Sequence, residues 1–223
     1  MTGKISEIFK STQGEGPYMG TKQLFIRFYG CNTNCSFCDT KLKDFREYRV
    51  DSLESEISNY RDFHSISLTG GEPLCQTDFI CEFLKRVDEL HHLIYLETNG
   101  TLPAELNKII GLVDIISMDF KLPSSTGREP FWKEHEEFLN IAIQKEAFVK
   151  MVITKMTTQE DVFKAAEIIK KVKSNIQVVL QPNWFDMNQD LLSRIVVFKK
   201  YFLDNGMQNL KILPQAHKYA GIK

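Results

Sequence analysis

Three of the five cysteines stand close together in the sequence, at Cys31, Cys35 and Cys38. The spacing C-x3-C-x2-C confines three thiols to a loop of eight residues, which can wrap around one metal centre. Cysteine thiolates hold iron–sulfur clusters, and a four-iron cluster has four corners to fill. Three cysteines leave one iron without a protein ligand, and an open coordination position distinguishes a reactive metal site from a closed structural one. The spacing therefore predicts a 4Fe-4S cluster with one vacant corner.

A structural zinc site is the alternative interpretation of the same cysteines. Structural zinc usually has four protein ligands, commonly two Cys pairs or Cys pairs with His. The sequence has no second C-x2-C pair, and no histidine precedes His64. A non-catalytic module that binds zinc or a cluster remains an alternative, less favoured by the ligand count. We expect the other two cysteines, Cys75 and Cys81, to be small buried hydrophobic residues.

Length and composition indicate an ordinary globular protein. The chain has 223 residues, with 43% hydrophobic residues, 26% charged residues and a formal net charge of −1. We therefore expect one domain over 1–223, with no basic field for nucleic acid or anionic lipid. No apolar run approaches the roughly 20 residues that span a bilayer, and the polar N-terminus lacks a signal-peptide pattern. The clustered thiols, which must stay reduced, predict a cytoplasmic location.

Strand and helix patterns alternate along the chain, which favours parallel βα units. About six units fall short of the eight in a closed barrel. The predicted fold is α/β, a partial, open (βα)6-type TIM-like barrel. A capping box at 157–160 opens one helix, and a loop covers 122–130. The predicted strands are 4–9, 23–29, 65–69, 93–97, 113–120, 148–154, 176–181 and 210–213. The predicted helices are about 53–62, 77–91, one from 103, 131–146, one ending near 173, and 188–203.

Polar motifs follow these strands at their C-terminal ends, where βα folds bind their ligands. The motifs at 12–17 and 69–73 also have a plainer interpretation as turns, because glycine-containing turns are common punctuation. Arg27 could grip a carboxylate with its planar fork or form a structural salt bridge. Lys121 could contact a ligand or pair with Asp119, and His217 could be a surface histidine. The motifs lie at 12–17, 69–73, 97–101, 117–121, 181–183 and 214–218.

The cysteine spacing, with Phe37 before the third cysteine, resembles the radical S-adenosylmethionine (SAM) superfamily. Thr-Gly-Gly-Glu-Pro at 69–73 resembles the Gly-Gly-Glu motif of that superfamily. Within it, the chain is similar to the 7-carboxy-7-deazaguanine synthases of queuosine and 7-deazapurine biosynthesis. Some relatives have Pro-Lys after the fourth-strand serine, where this chain has Met118-Asp119-Phe120-Lys121. The other matching segments are Gln-Gly-Glu-Gly at 13–16, Cys-Asp-Thr at 38–40, Glu-Thr-Asn-Gly-Thr at 97–101 and Leu-Pro-Gln-Ala-His-Lys at 213–218.

The resemblance implies a radical SAM fold and a carbon–nitrogen lyase reaction. 6-Carboxy-5,6,7,8-tetrahydropterin rearranges to 7-carboxy-7-deazaguanine with loss of ammonia. The implied cofactors are a 4Fe-4S cluster, SAM as a recyclable radical initiator, and Mg2+. A carbon-bound hydrogen is too inert for side-chain acid–base chemistry, so the cofactor supplies the difficult step and the protein orients the reactants.

The resemblance also assigns residues to ligands, and none beyond the cofactor ligands to catalysis. Cys31, Cys35 and Cys38 hold the cluster, and Thr40 donates oxygen to Mg2+, a hard ion. Gln13, Gly14 and Glu15 read the amine and amide edges of the pterin, and Arg27 clamps its carboxylate. The substrate set also contains Thr12, Thr98, His217 and Lys223. The SAM set is Phe37, Cys38, Asp39, Gly70, Gly71, Glu72, Gly100, Ser117, Asp119, Lys121, Gln181, Pro182 and Asn183.

The implied partners are the small-molecule substrate, an electron donor such as flavodoxin or ferredoxin, and a second copy in a homodimer. No nucleic acid or membrane partner is expected. A radical SAM activase, which acts on a protein partner, is the rival enzyme class with the same cysteine spacing. The small polar loop at 12–16 favours a small substrate over such a partner.

Overall fold

The computed structural model describes residues 1–40, 42–87 and 92–221. They form one open nine-stranded sheet in the order β3-β1-β2-β4-β5-β6-β7-β8-β9. The strands are β1 Thr2–Thr12, β2 Lys22–Phe28, β3 Arg46–Arg49, β4 Ser65–Gly70, β5 Leu93–Thr98, β6 Ile115–Asp119, β7 Glu146–Ile153, β8 Gln177–Pro182 and β9 Leu210–Ile212. The helices are α1 Val50–Ile57, α2 Thr77–Val87, α3 Pro103–Ile109, α4 Pro123–Thr126, α5 Trp132–Ala142, α6 Gln159–Lys173, α7 Gln189–Asp204 and α8 Ala216–Ala220.

Strand direction divides the sheet into two parts. From β2 to β9 every neighbouring pair is parallel, whereas β1 is antiparallel to both β2 and β3. In the described residues, six crossovers join the seven parallel strands. The partial, open barrel with about six βα units is thereby confirmed. All seven parallel strands point their C-terminal ends to the same edge, which gathers there the polar motifs that follow them. The motif at 12–17 instead follows the antiparallel strand β1, whose end pairs with the start of β2.

The two faces of the sheet differ in chemistry because side chains alternate along each strand. One face packs against the helices in a large apolar core that includes Leu24, Ile66 and Leu180, all fully buried. On the other face a small apolar cluster holds Tyr95, Ile115, Phe148 and Val179. Except for Val152 on β7, the strand positions that continue this inner face toward the C-terminal edge are polar, namely Glu97, Ser117, Asp119, Lys150 and Gln181. The barrel interior is therefore lined for a polar ligand.

Several elements differ from the sequence-based prediction. The strand β3 was not predicted, because Arg-Glu-Tyr-Arg lacks an apolar alternation; it pairs with the start of β1. The predicted loop at 122–130 contains the short helix α4, which ends at Gly127 in the left-handed conformation. The N-cap of α6 is Thr158, which accepts from the Asp161 N–H, so the predicted box at 157–160 is wrong by one residue. The predicted helix end at 88–91 lies outside the described residues.

None of the helices within the described part of the chain has the length and apolar character needed to cross a bilayer.

Candidate active site

The cysteine loop follows β2 and presents its thiols at the C-terminal edge of the sheet. Cys31 and Cys38 are exposed, and Cys35 is half-buried. The Thr33 hydroxyl lies 3.2 Å from Cys31 Sγ and 3.7 Å from Cys35 Sγ, so two of the thiols flank one side chain. Cys38 Sγ lies 3.6 Å from the Thr40 carbonyl oxygen. Burial raises the pKa of Cys35, and the positive charge of Lys121 opposes that rise.

The middle of this loop rests on α4 and the residues after it. The Ser36 N–H donates to the Thr126 carbonyl at 2.9 Å, and the Ser36 hydroxyl donates to the Ser125 carbonyl at 2.9 Å. Arg128 Nε donates to the Asn34 carbonyl at 2.5 Å. Three hydrogen bonds from a distant part of the sequence therefore fix the segment on either side of Cys35.

The glycine pair after β4 brings two strand ends into backbone contact. A Cβ atom on Gly71 would lie 2.0 Å from the Gly30 carbonyl oxygen, and one on Gly70 would lie 2.2 Å from the Phe28 carbonyl oxygen. Gly70 also has φ +141°, which side chains of L-residues rarely adopt. The Glu72 N–H donates to the Gly30 carbonyl at 2.8 Å. Only glycine fits here, and the Gly-Gly-Glu turn is thereby placed beside Cys31.

Glu72 is fully buried, and its carboxylate binds groups of the chain itself. One oxygen accepts from the Thr98 hydroxyl at 2.8 Å and the Leu74 N–H at 3.1 Å, and the other accepts from the Asn99 N–H at 2.7 Å. Burial raises the pKa of Glu72 to about 7, although the hydrogen bonds from Asn99, Leu74 and Thr98 oppose it. The carboxylate therefore fixes the loop after β5, while the backbone of the glycine pair borders the cysteine loop.

The loop after β5 is joined to the cysteine loop by Asn32. Its side chain donates to Thr101 Oγ1 at 2.8 Å and accepts from Asn99 Nδ2 at 2.8 Å. Behind this contact, His135 Nε2 lies 3.1 Å from the Asn99 carbonyl oxygen. Burial lowers the pKa of His135 to about 4, so its ring is neutral near pH 7.

Inside the barrel, Gln13 connects the Gln-Gly-Glu-Gly loop to the strands. Its amide donates to Gln23 Oε1 at 3.0 Å and to Glu97 Oε1 at 2.6 Å. The other oxygen of Glu97 accepts from the Thr69 hydroxyl at 2.7 Å. Alternation along β5 directs Glu97 into this interior, whereas the predicted substrate residue Thr98 binds Glu72 instead.

Alternating charges run across the site next to this cluster. Lys150 on β7 pairs with Glu15 and lies 3.6 Å from Asp119 Oδ2, which is 2.8 Å from Lys121 Nζ. Burial alone would raise the pKa of Glu15, but the Lys150 ammonium and a hydrogen bond from Gln215 outweigh it and lower the pKa to about 2. Burial would likewise lower the pKa of Lys150, yet its two carboxylate partners raise it. Lys121 Nζ also lies 5.3 Å from the centre of the Phe37 ring.

Arg27 is paired in this structure. Its Nε donates to Glu7 Oε2 at 3.1 Å, and its guanidinium lies 5.5 Å from the centre of the Phe9 ring. The side chain of Arg27 is 20% exposed, on the inner face of β2. The salt bridge that the sequence left open is present, and the carboxylate clamp stays a prediction.

The C-terminal segment closes over the same edge. The Ala216 N–H donates to the Gly14 carbonyl at 2.9 Å. His217 lies between two acids, with Nδ1 3.8 Å from Glu15 Oε1 and Nε2 4.0 Å from Asp39 Oδ2. Lys218 Nζ lies 2.7 Å from Asp39 Oδ2. The helix α8 thus contacts both the predicted substrate loop and the end of the cysteine loop.

Comparison with known proteins assigns the chain to a family. Residues 25–195 match the model described as the Radical SAM superfamily. The 7-carboxy-7-deazaguanine synthase of Geobacter sulfurreducens is 35% identical, over 98% of this chain and 97% of that protein. The chain belongs to the 7-carboxy-7-deazaguanine synthase family. The synthase of Archaeoglobus fulgidus is 30% identical over 100% of both chains. The crystal structure of QueE from Escherichia coli has TM-score 0.68 at 20% identity, over 97% of this chain and 95% of that one, and shows the same fold.

Membership of the radical SAM superfamily implies SAM and an iron–sulfur cluster, and the donors of this chain fit them. Three thiols lie on one loop beside a glycine-only backbone turn. Within the described ranges, no three His, Cys, Asp or Glu side chains are gathered as around a metal ion, so the loop carries the donors without a formed centre. Among the buried side-chain atoms that have no hydrogen-bond partner in the described structure are Asp119 Oδ1 and both amide atoms of Gln181, at the ends of β6 and β8; the others are Ser6 Oγ, Ser67 Oγ and His135 Nδ1. Buried polar atoms normally have partners, so the sites at Asp119 and Gln181 fit a bound polar ligand.

Of the remaining predicted residues, all but Thr12 and Lys223 lie at the same edge of the sheet. Pro182 ends β8, and Asn183 donates from its side chain to Asp186. The Gly100 N–H lies 3.2 Å from Thr98 Oγ1, and Ser117 is buried in β6. Thr40 follows the cysteine loop. Thr12 ends β1 and pairs with Lys22 at the start of β2, so it lies at the opposite edge of the sheet. Lys223 lies outside the described residues.

Sequence reasoning missed several residues that the fold brings into the site. Thr69 and Glu97 were noted within motifs but not assigned, although strand alternation directs both inward. Lys150 carried a signal, since it is the one charged residue in the apolar run 148–153. Asn99 and Gln215 were likewise noted within motifs and not assigned. His135 offered no signal, because its role depends on contacts between distant segments. Cys75, expected to be buried, is exposed.

Proposed function

We propose that this protein converts 6-carboxy-5,6,7,8-tetrahydropterin to 7-carboxy-7-deazaguanine and ammonia in 7-deazapurine biosynthesis. The observation that carries the proposal is the meeting of two segments at His217: the cysteine loop and the Gln-Gly-Glu-Gly loop. Asp39 and Glu15, one from each, lie on either side of His217. The 35% identity to a synthase over nearly the whole of both chains supports the reaction.

The cysteine side of the site would hold the cofactors. Cys31, Cys35 and Cys38 would hold the cluster, and the backbone of Gly70 and Gly71 would receive the amine of SAM. Once reduced by one electron from an external donor, a 4Fe-4S cluster would split bound SAM into methionine and a 5′-deoxyadenosyl radical, which can remove a carbon-bound hydrogen. The unpartnered groups of Gln181 and Asp119 support a place for the rest of SAM, near Phe37 and Lys121.

The substrate side would orient the pterin by charge and hydrogen bonding. Glu15, kept ionised by Lys150, is an acceptor for the amine and amide edge of the ring. Arg27 would bind the substrate carboxylate with the guanidinium nitrogens that do not contact Glu7. His217, between Glu15 and Asp39, would complete the pocket together with Gln13.

Three further features belong to the same proposal. Thr40 follows the cysteine loop, and its hydroxyl would be one of the oxygen ligands of Mg2+, which retains several waters. A flavodoxin or ferredoxin would deliver electrons, because the cysteine loop is exposed. The protein would act as a homodimer.

The test is anaerobic turnover by the reconstituted protein with the pterin, SAM and a reductant. We expect 7-carboxy-7-deazaguanine to form, seen by its absorbance and mass. Cys35→Ala should lose the iron–sulfur absorbance and all product, because one of three ligands is removed. Cys81→Ala on α2 is the matched control and should keep both. A Cys35→Ala protein that retains the cluster and turns over would refute the assignment.

The activase alternative makes a different prediction. A radical SAM activase would cleave SAM and transfer the radical to a protein, without consuming the pterin. SAM cleavage that the pterin neither accelerates nor couples to product would favour that class. A protein that binds metal yet never releases 5′-deoxyadenosine under reduction would favour the non-catalytic module.

A further inference from the structure

Lys150 stands in an unusual position for a lysine. It lies on β7 between Phe148 and Val152 on the inner face, and its side chain is 14% exposed. Its ammonium contacts two carboxylates from different parts of the chain, Glu15 before β2 and Asp119 at the end of β6. A lysine with this little exposure is uncommon unless it is paired.

We propose that Lys150 is a positioning residue for substrate recognition: its ammonium holds the Glu15 carboxylate at the place where the heterocycle binds. The inference rests on the proposed function, which assigns Glu15 to the pterin, and adds the residue that aims it. By contacting Asp119 as well, Lys150 ties the substrate loop to the strand whose end borders the predicted SAM site.

The two carboxylates depend on Lys150 to different degrees. Asp119 keeps a second cation, Lys121, at 2.8 Å when Lys150 is removed. Glu15 keeps a hydrogen bond from Gln215 at 3.1 Å and the more distant His217 at 3.8 Å. Loss of Lys150 therefore leaves Glu15, rather than Asp119, as the acid without a close cation.

The loop itself has other anchors, so its fold does not require the ion pair. Gln13 is bound to Gln23 and Glu97, and the Gly14 carbonyl accepts from Ala216. Removing Lys150 should change where the Glu15 carboxylate points while the backbone around it keeps its course. Substrate binding would be weakened, and SAM cleavage without substrate would not.

The experiment measures binding separately from turnover. Pterin affinity is determined by anaerobic titration of the reconstituted protein with SAM and no reductant, and SAM cleavage is determined without pterin. We expect Lys150→Met to weaken pterin binding about tenfold or more, since a charge-assisted contact is misdirected. Affinity for SAM and its uncoupled cleavage should stay within about twofold. The control is Lys164→Met, which removes an exposed ion pair with Glu167 on α6 and should change neither quantity.

A double-variant cycle with Glu15→Gln separates positioning from general support. If Lys150 acts through Glu15, the two losses do not add, and Lys150→Met costs little once Glu15 is replaced. Lys150→Arg keeps the charge, so its pterin affinity should lie between those of the wild type and Lys150→Met. In a protein that already carries Glu15→Gln, adding Lys150→Arg should not change the pterin affinity further. If the thermal transition shows that Lys150→Met does not fold, the double-variant cycle of Lys150→Arg with Glu15→Gln is used instead. The test is again whether the two losses of pterin affinity add.

The outcomes separate the two proposals. If wild-type protein forms no 7-carboxy-7-deazaguanine, the proposed function fails and Lys150 loses its role with it. If wild type forms product while Lys150→Met binds the pterin normally, or its loss adds fully to that of Glu15→Gln, the inference about Lys150 alone is wrong.

Discussion

A buried carboxylate without a cation partner sits at the centre of the site. Glu72 accepts three hydrogen bonds from neutral donors, while the nearest charge that lowers its pKa, Lys121, contributes less than those bonds. Burial disfavours the ionised form, and the pKa rises to about 7. The protein therefore keeps a proton on this acid under conditions where an unfolded chain has released it.

This difference makes stability depend on pH. The folded pKa of about 7 exceeds the unfolded value of 4.5, so the contribution of Glu72 is present below about pH 4.5 and is lost as pH rises through 7. Between pH 5 and pH 8 we expect the wild type to lose on the order of 3 kcal/mol of unfolding free energy relative to Glu72→Gln. Urea unfolding at each pH measures the free energy of unfolding, and Glu82→Gln, at an exposed position, is the control. If the free energies of the wild type and Glu72→Gln change with pH in parallel, the pKa of Glu72 is not raised.

Arg27 supports a second prediction at this scale. Its Nε is bound to Glu7, which leaves the planar NH2 groups to bind a carboxylate. We expect Arg27→Lys to raise the KM for the pterin about tenfold or more, because a lysine keeps the charge and loses the two-point geometry. SAM cleavage without substrate should be unchanged. A variant that is less stable but has normal KM would assign Arg27 to the salt bridge alone.

At the scale of elements, α4 acts as a support for the cysteine loop. It is held in turn by the start of α6: the Ser124 N–H donates to Asp161 at 2.7 Å, and the Thr157 hydroxyl is 2.7 Å from that of Ser125. The cysteine loop therefore rests on a support anchored to the next βα unit. This arrangement limits the conformations available to the loop before a cluster is bound.

We expect the support to slow the loss of the cluster. Each hydrogen bond to the loop contributes about 1 kcal/mol, so Ser36→Ala and Arg128→Ala should each accelerate iron release to a chelator several-fold. Lys133→Ala, on the neighbouring helix α5, is the control. Iron release at the wild-type rate in both variants would show that α4 does not hold the loop.

The elements themselves were largely predictable, because apolar periodicity reports burial locally. Strands β2, β4 and β8 and helices α6 and α7 lie within a few residues of their predicted bounds. The sequence could not show which residue is the N-cap of α6, because Thr157 and Thr158 are both threonines. Only the contacts of Thr157 with Ser125 and the Thr154 N–H exclude it. The motifs located the site in the sequence. The pairing of Lys150 with Glu15 could not be predicted, because it depends on the register of the strands in the sheet.

At the scale of the whole molecule, the entrance to the site is formed by segments far apart in the sequence. The loop at 13–16, the end of the cysteine loop and α8 meet through Gln215–Glu15 at 3.1 Å and Lys218–Asp39 at 2.7 Å. Trp184 after β8 packs edge-on against Tyr219 at 4.4 Å between ring centres. Peripheral contacts of this kind open more readily than the central strands. The entrance can therefore loosen while the sheet stays folded.

Gly14 tests whether the entrance moves as one unit. A Cβ atom there would lie 2.5 Å from the Cβ of His217, so Gly14→Ala must displace α8 or the loop. We expect faster amide hydrogen exchange at both 13–16 and 214–220, with the central strands β4–β6 unchanged and the melting temperature lowered by a few degrees at most. Gly111→Ala, where a Cβ meets no atom within 4 Å, is the matched control. Because Ala216 binds Gly14 directly, faster exchange in one segment without the other would contradict a shared closing unit.

Adding SAM and the pterin should slow amide hydrogen exchange in both segments of the wild type together. In Gly14→Ala the same addition should slow exchange in these segments less.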